Sequence, residues 1–94
     1  MANAVTNMND IESYPRYAHL TYAEANLVMA IDTVAFLRLE VTRMHMIILA
    51  LPNGAVYELA HFRDQLRVCN CRLRFWRRKA RIANREWLNT IIGN

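Results

Sequence analysis

FRDQLRVCNCRLRFWRRKARIANREW, residues Phe62 to Trp87, carries nine of the chain's twelve basic side chains against one acid, Asp64, up to Arg85. That segment is about +8 and the rest of the chain −4, which sum to the net +4 of the 94 residues. A helix turns about 100° per residue, and on it Arg63, Arg67, Arg74, Arg78, Arg81 and Arg85 fall within an arc of about 60°. Asn70 fills the one gap and Arg77 sits at the edge. One residue earlier runs a second row, Phe62, Leu66, Cys69, Leu73, Trp76, Ala80, Ala83 and Trp87, spaced alternately by four and three. This is the rhythm of a helix packed lengthwise on another. The arginines therefore flank a seam, as a rod roughly 33 Å long at 1.5 Å per residue, with no Gly or Pro to bend it.

The partner of that seam lies upstream. Thr21-Tyr22-Ala23-Glu24 is a capping box that starts a helix, and the first stop signal after it is Pro52-Asn53-Gly54. Between them Ala23, Leu27, Ala30, Val34, Leu37, Val41, Met44, Ile48 and Leu51 form an apolar row. Folding back at Pro52 to Gly54 brings positions summing to 106 or 107 opposite each other, so that Leu37 meets Cys69 and the small Ala30 meets the large Trp76. The sequence predicts an all-α antiparallel helical hairpin, with helices over about 21–51 and 55–91. Residues 1–20 form an N-terminal tail and 21–94 the hairpin domain, with Tyr14, Tyr17 and Leu20 lying back on it.

Helix one has a second apolar strip, Val28, Ala35, Leu39, Met46 and Leu49, with Ile31, Phe36 and Ile47 nearby. Two helices leave that strip in water, a larger patch than monomers usually expose. The economical solution is a homodimer through this strip, forming a four-helix bundle. Glu40 and Arg43, three apart, are a candidate local pair worth about 0.2 to 0.5 kcal/mol.

Composition excludes several classes. Two Gly and two Pro in 94 residues argue against a turn-rich β fold. The longest clean apolar run, Met46 to Leu51, is far short of a membrane span. Residues 1–13 are polar and acidic, without a secretory pattern. Cys69 and Cys71, two apart on a helix, point about 160° from each other and neither bridge nor share a metal while it holds. Reduced thiols fit a cytoplasmic protein. His45 and His61 fall at one level of the hairpin but lack a third ligand, so no metal and no cofactor is expected. His19 sits in the tail. Asp32, Glu40, Glu58 and Asp64 form no carboxylate pair, and no nucleophile motif or phosphate loop is present. A binding protein, not an enzyme, and one without a small-molecule substrate, is the expectation.

Eleven Arg to one Lys favours forked contacts to phosphate oxygens over plain solubilising charge. Phosphate and 2′-OH contacts are assigned to Arg63, Arg67, Arg74, Arg77, Arg78, Arg81 and Arg85, with Asn70 a neutral donor between them. Single strands are usually held on aromatic platforms, whereas Phe62, Trp76 and Trp87 lie on the seam and Phe75 alone is elsewhere. A row beside a packed seam lies across a duplex instead of inside a groove, which suits shape-based binding of double-stranded RNA more than major-groove reading of DNA. The alternatives left open are a DNA-binding dimer, a helical inhibitor docking its Arg face on an acidic partner surface, and a membrane-surface helix. Lys79 and Arg72 face away from the row.

In architecture and charge placement over Thr21 to Ile91, the chain resembles the double-stranded-RNA-binding silencing suppressors of nodaviruses. In that family helical hairpins pair into an antiparallel four-helix bundle lying along one face of a duplex. The resemblance implies sequence-independent binding that shields viral double-stranded RNA from a host processing nuclease. RRKARIANR, Arg77 to Arg85, also resembles the arginine-rich helices that bind RNA hairpins.

Overall fold

A computed structural model describes residues 20–93. Of the predicted tail only Leu20, half-buried, falls among them; the expectations for Tyr14, Tyr17 and His19 lie outside the described residues. Two helices, α1 (Tyr22–Ala50) and α2 (Val56–Ile92), pack against each other. No strand occurs among the described residues. At 1.5 Å per residue the 29-residue α1 is about 43 Å long and the 37-residue α2 about 55 Å.

The capping box forms as the sequence predicts. The Glu24 N–H donates to Thr21 Oγ1 at 3.2 Å and the Thr21 N–H donates to Glu24 Oε1 at 2.9 Å. Two N–H groups that the helix cannot satisfy internally are thereby occupied. At the other end Leu51 takes an extended backbone, φ −67° and ψ 138°, as a residue before proline must. The Leu51 N–H still reaches the Ile48 carbonyl at 3.3 Å. Across the turn the Ala55 N–H donates to the Pro52 carbonyl at 3.2 Å. Ala55 caps α2 without a side-chain bond, and Gly54 has φ +93°. Each helix end differs from the sequence-based boundary by about one residue, the distance between a cap and the first helical position.

The buried residues are Ala25, Ala30, Leu37 and Met44 on α1 and Cys69, Leu73 and Ala83 on α2. All but Ala25 belong to the two predicted rows, and the remaining row members, Trp76 and Trp87 among them, are half-buried. Ala25 lies about 160° round α1 from Ala23, and the seam does not account for its burial. Cys69 is buried and Cys71 exposed, as two positions two apart on a packed helix should be. At the tip a hollow is lined by Ile48 and Leu59, a pair predicted to face each other; at the open end another is lined by Thr21, Ala23, Trp87 and Ile91. Since Pro52 and Ala55 bond across the turn, levels sum to about 107 and Tyr22 stands level with Arg85. The last turns of α2 run on past α1, leaving Leu88, Ile91 and Ile92 exposed.

Glu40 and Arg43 pair at 2.9 Å. The hydrogen bond from Arg43 holds the Glu40 carboxyl below its ordinary 4.5. The folded value is the lower one, so this contribution is present above pH 4.5 and is lost as pH falls through the folded value.

Gly54 is the one described residue whose backbone excludes other side chains on conformational grounds. A Cβ there meets nothing within 4 Å, so the cost of Gly54→Ala is that of the left-handed backbone alone. Urea denaturation of this variant is expected to show a loss of about 1 to 2 kcal/mol; an unchanged midpoint would mean that the turn relaxes to negative φ without cost.

Candidate nucleic-acid interface

Six of the eight predicted contacts follow a seam residue by one position. Arg63 follows Phe62, Arg67 Leu66, Asn70 Cys69, Arg74 Leu73, Arg77 Trp76 and Arg81 Ala80. One step is about 100° of rotation, which carries a side chain from the packed edge of α2 onto one broad side of the hairpin. Arg78 and Arg85 lie further round the same side. Arg63, Arg67, Arg74, Arg77, Arg78, Arg81 and Arg85 are exposed, and Asn70 is half-buried among them. The helix between Val56 and Ile92 is continuous, so spacing along the row is set by the backbone.

Two members of the row have partners that its charge pattern does not reveal. Arg67 Nη2 donates to Asp64 Oδ1 at 2.7 Å, one turn back. This contact raises the basicity of the guanidinium, and the carboxylate offsets its charge. Arg74 Nη2 lies 3.4 Å from Cys71 Sγ, a weak acceptor that leaves the charge uncompensated. Arg63, Arg77, Arg78, Arg81 and Arg85 make no ion pair among the described residues. The i,i+3 spacing of Asp64 and Arg67 was legible in the sequence.

The opposite broad side is different in kind. There Lys79 Nζ lies 5.8 Å from the centre of the Phe75 ring, and Phe75 meets Trp76 edge-on at 5.7 Å. Phe75 is 51% exposed, but Trp76 belongs to the seam and leaves it without a second open ring. The two histidines share a level but not a side. His45 lies one step past Met44, whereas His61 lies one step before Phe62, so the helix rotation sends them to opposite broad sides. His61 packs edge-on to Phe62 at 5.1 Å. Among the described residues no three of His, Cys, Asp and Glu gather as metal ligands.

The strip predicted for dimer contact is largely open. Leu39, Met46 and Leu49 are 69%, 65% and 84% exposed. Ala35 is exposed and Val28 half-buried. At its middle, Ala35, Arg38, Leu39 and Thr42 line a shallow hollow. Positions i, i+3, i+4 and i+7 are the four corners of a hole that receives one side chain from a neighbouring helix. No helix among the described residues is long and apolar enough to cross a membrane. Comparison of the chain with protein-family models, curated proteins and solved structures finds no match.

Asp64→Asn removes the one carboxylate in the row. Elution from a heparin column is expected to move to higher salt, with less than about 0.5 kcal/mol lost in stability, the usual worth of an exposed i,i+3 pair. Unchanged elution would show that Arg67 is not part of the anion-binding surface.

Proposed function

We propose that this chain is a homodimeric protein that binds double-stranded RNA without regard to sequence and shields it from nucleases, as the likeness to nodavirus silencing suppressors implies. The observation that carries the proposal is the row of exposed guanidinium groups, spaced along about 33 Å of unbroken helix. Six of the seven, all but Arg67, have no carboxylate partner among the described residues. A solvated face normally mixes signs; a face of one sign that is rigid over several turns suits phosphates that are themselves regularly placed. Arginine forks bind phosphate oxygens two at a time. Among the described residues no open aromatic pair lies beside the row as a platform for splayed bases, which favours a duplex over a single strand.

The dimer is supported by the apolar circumference of α1. A helix with apolar residues on both faces requires cover on both, and α2 supplies it on one. A second copy fits the other, because the strip is self-complementary in the antiparallel sense. Positions summing to 77 pair Val28 with Leu49, Ile31 with Met46 and Ala35 with Thr42, large with large at the flanks and small with small near the centre. Leu39 then enters its partner's hole of Ala35, Arg38, Leu39 and Thr42. The Thr42 hydroxyl is already occupied by the Arg38 carbonyl at 3.1 Å, so it brings no unsatisfied donor into such a contact. A twofold axis between antiparallel α1 helices runs perpendicular to both and keeps the arginine-bearing sides of the two hairpins on one side of the assembly.

Gel-shift titrations against matched duplex RNA, duplex DNA and single-stranded RNA of about 25 nucleotides, longer than the ~16 bp that shape-reading domains span, test the proposal. Tight binding to duplex RNA alone is expected, with log affinity falling by about 0.9 per neutralised phosphate for each unit of log salt. Arg74→Glu should weaken binding to every duplex by about tenfold or more while leaving the helical circular dichroism unchanged. Equal weak binding to all three nucleic acids would instead assign the row to an acidic protein surface. Separately, Leu39→Asp is expected to leave a monomer in sedimentation equilibrium; a wild-type protein that sediments as a monomer at micromolar concentration removes the dimer.

A further inference from the structure

Leu37 is buried against α2 and Arg38 follows it by one position, as Asn70 follows buried Cys69 and Arg74 follows buried Leu73. The two helices run antiparallel. Viewed from one end, one helix winds clockwise and the other anticlockwise, so equal steps past the shared contact lead to the same broad side of the pair. Arg38 therefore lies on the arginine-bearing side although it belongs to α1. Its level follows from the turn. With Pro52 bonded to Ala55, positions summing to about 107 stand opposite, and Arg38 stands level with Cys69 and Asn70. This is the place where the α2 row lacks a guanidinium, between Arg67 and Arg74, and where Arg67 is itself engaged by Asp64. Arg38 is exposed and forms no ion pair among the described residues. Of the two arginines on α1 it is also the one that lines the central hollow of the apolar strip. Arg43, the other α1 arginine, is committed to Glu40 on the opposite side.

We infer that Arg38 is a phosphate-contacting residue that fills the gap at Asn70 in the α2 row, joining the two helices into one basic surface. The inference presupposes the duplex binding proposed above. In the antiparallel dimer the axis passes between Arg38 and Leu39, so the two copies of Arg38 stand beside it and link one row to the other. Each dimer then gains two phosphate contacts from α1.

Duplex RNA binding by the full chain, measured by gel shift across a salt series, tests this with Arg38→Gln, Arg38→Lys and the double variant Arg38→Gln with Asn70→Arg. Arg38→Gln is expected to sediment as the wild type does and to bind at least about fivefold more weakly. Its log-log salt slope should fall by about 1.8, two contacts at about 0.9 each. Arg38→Lys should recover most of the affinity, and arginine at position 70 should restore the slope by returning the missing charge at the same level. Lys79→Gln, on the opposite side, should bind as the wild type does. If Arg38→Gln binds with wild-type affinity and slope while Arg74→Glu is impaired, the inference is overturned and duplex binding stands. If Arg74→Glu also binds normally, the duplex-binding role itself fails and takes Arg38 with it. A lower affinity that the Asn70→Arg change does not rescue would refute the gap-filling role.

Discussion

The burial of Leu37 and Met44 on α1 and of Cys69 and Leu73 on α2, along the edge where the two helices pack, is what the rest of the hairpin depends on. It fixes two things at once, the rotation of each helix about its own axis and, with the Pro52–Ala55 bond, the level at which residues stand opposite. Side chains on a helix have no freedom to choose a face once one position is buried. Burying Leu73 aims Arg74, and burying Leu37 aims Arg38. The charge pattern of the surface is in this sense a consequence of the core.

The two helices divide their duties unequally. α2 is split lengthwise into an apolar edge and a basic side along one unbroken helix, and the row ends at Arg85, level with Tyr22 at the start of α1. α1 is apolar on two sides, with a seam toward α2 and an open strip through Leu39, Met46 and Leu49. Hydrophobic burial scales with area removed from water, at roughly 25 cal/mol per Å², so the open strip is a large unused driving force in a two-helix monomer. A domain of this length buries a modest share of its surface by itself. The proposed pairing of two hairpins would answer the shortage of core and double the basic surface in one step.

Electrostatics at this surface operates mainly at long range. The guanidinium groups are exposed, so pairs with other exposed charges are weak and screened by salt. What a row of like charges supplies is a field aligned with a rigid axis, which steers and orients a polyanion without reading it. Asp64 interrupts that field at Arg67, and Asn70 interrupts it one turn later.

Much of this was legible from the chain alone. Thr21 and Glu24 as a capping box, the break at Pro52 to Gly54, and the rows through Leu37 and Leu73 are local or periodic signals, and periodicity survives folding because the helix imposes it. The opposed aims of Cys69 and Cys71 followed from the same rotation. Other features depended on three dimensions. The charge pattern marks Asp64 as a lone acid, but its bond to Arg67 is a choice of rotamer. The face that His61 takes relative to His45 depends on which residues of each helix are buried. Sequence determined that there are two helices and which edge of each is apolar. The turn at Pro52 to Gly54 already set the approximate level of Arg38, near Asn70; the tertiary structure decided that Arg38 of α1 stands on the side of Arg74, because the buried Leu37 and Leu73 fix the rotation of each helix and an antiparallel turn reverses its sense.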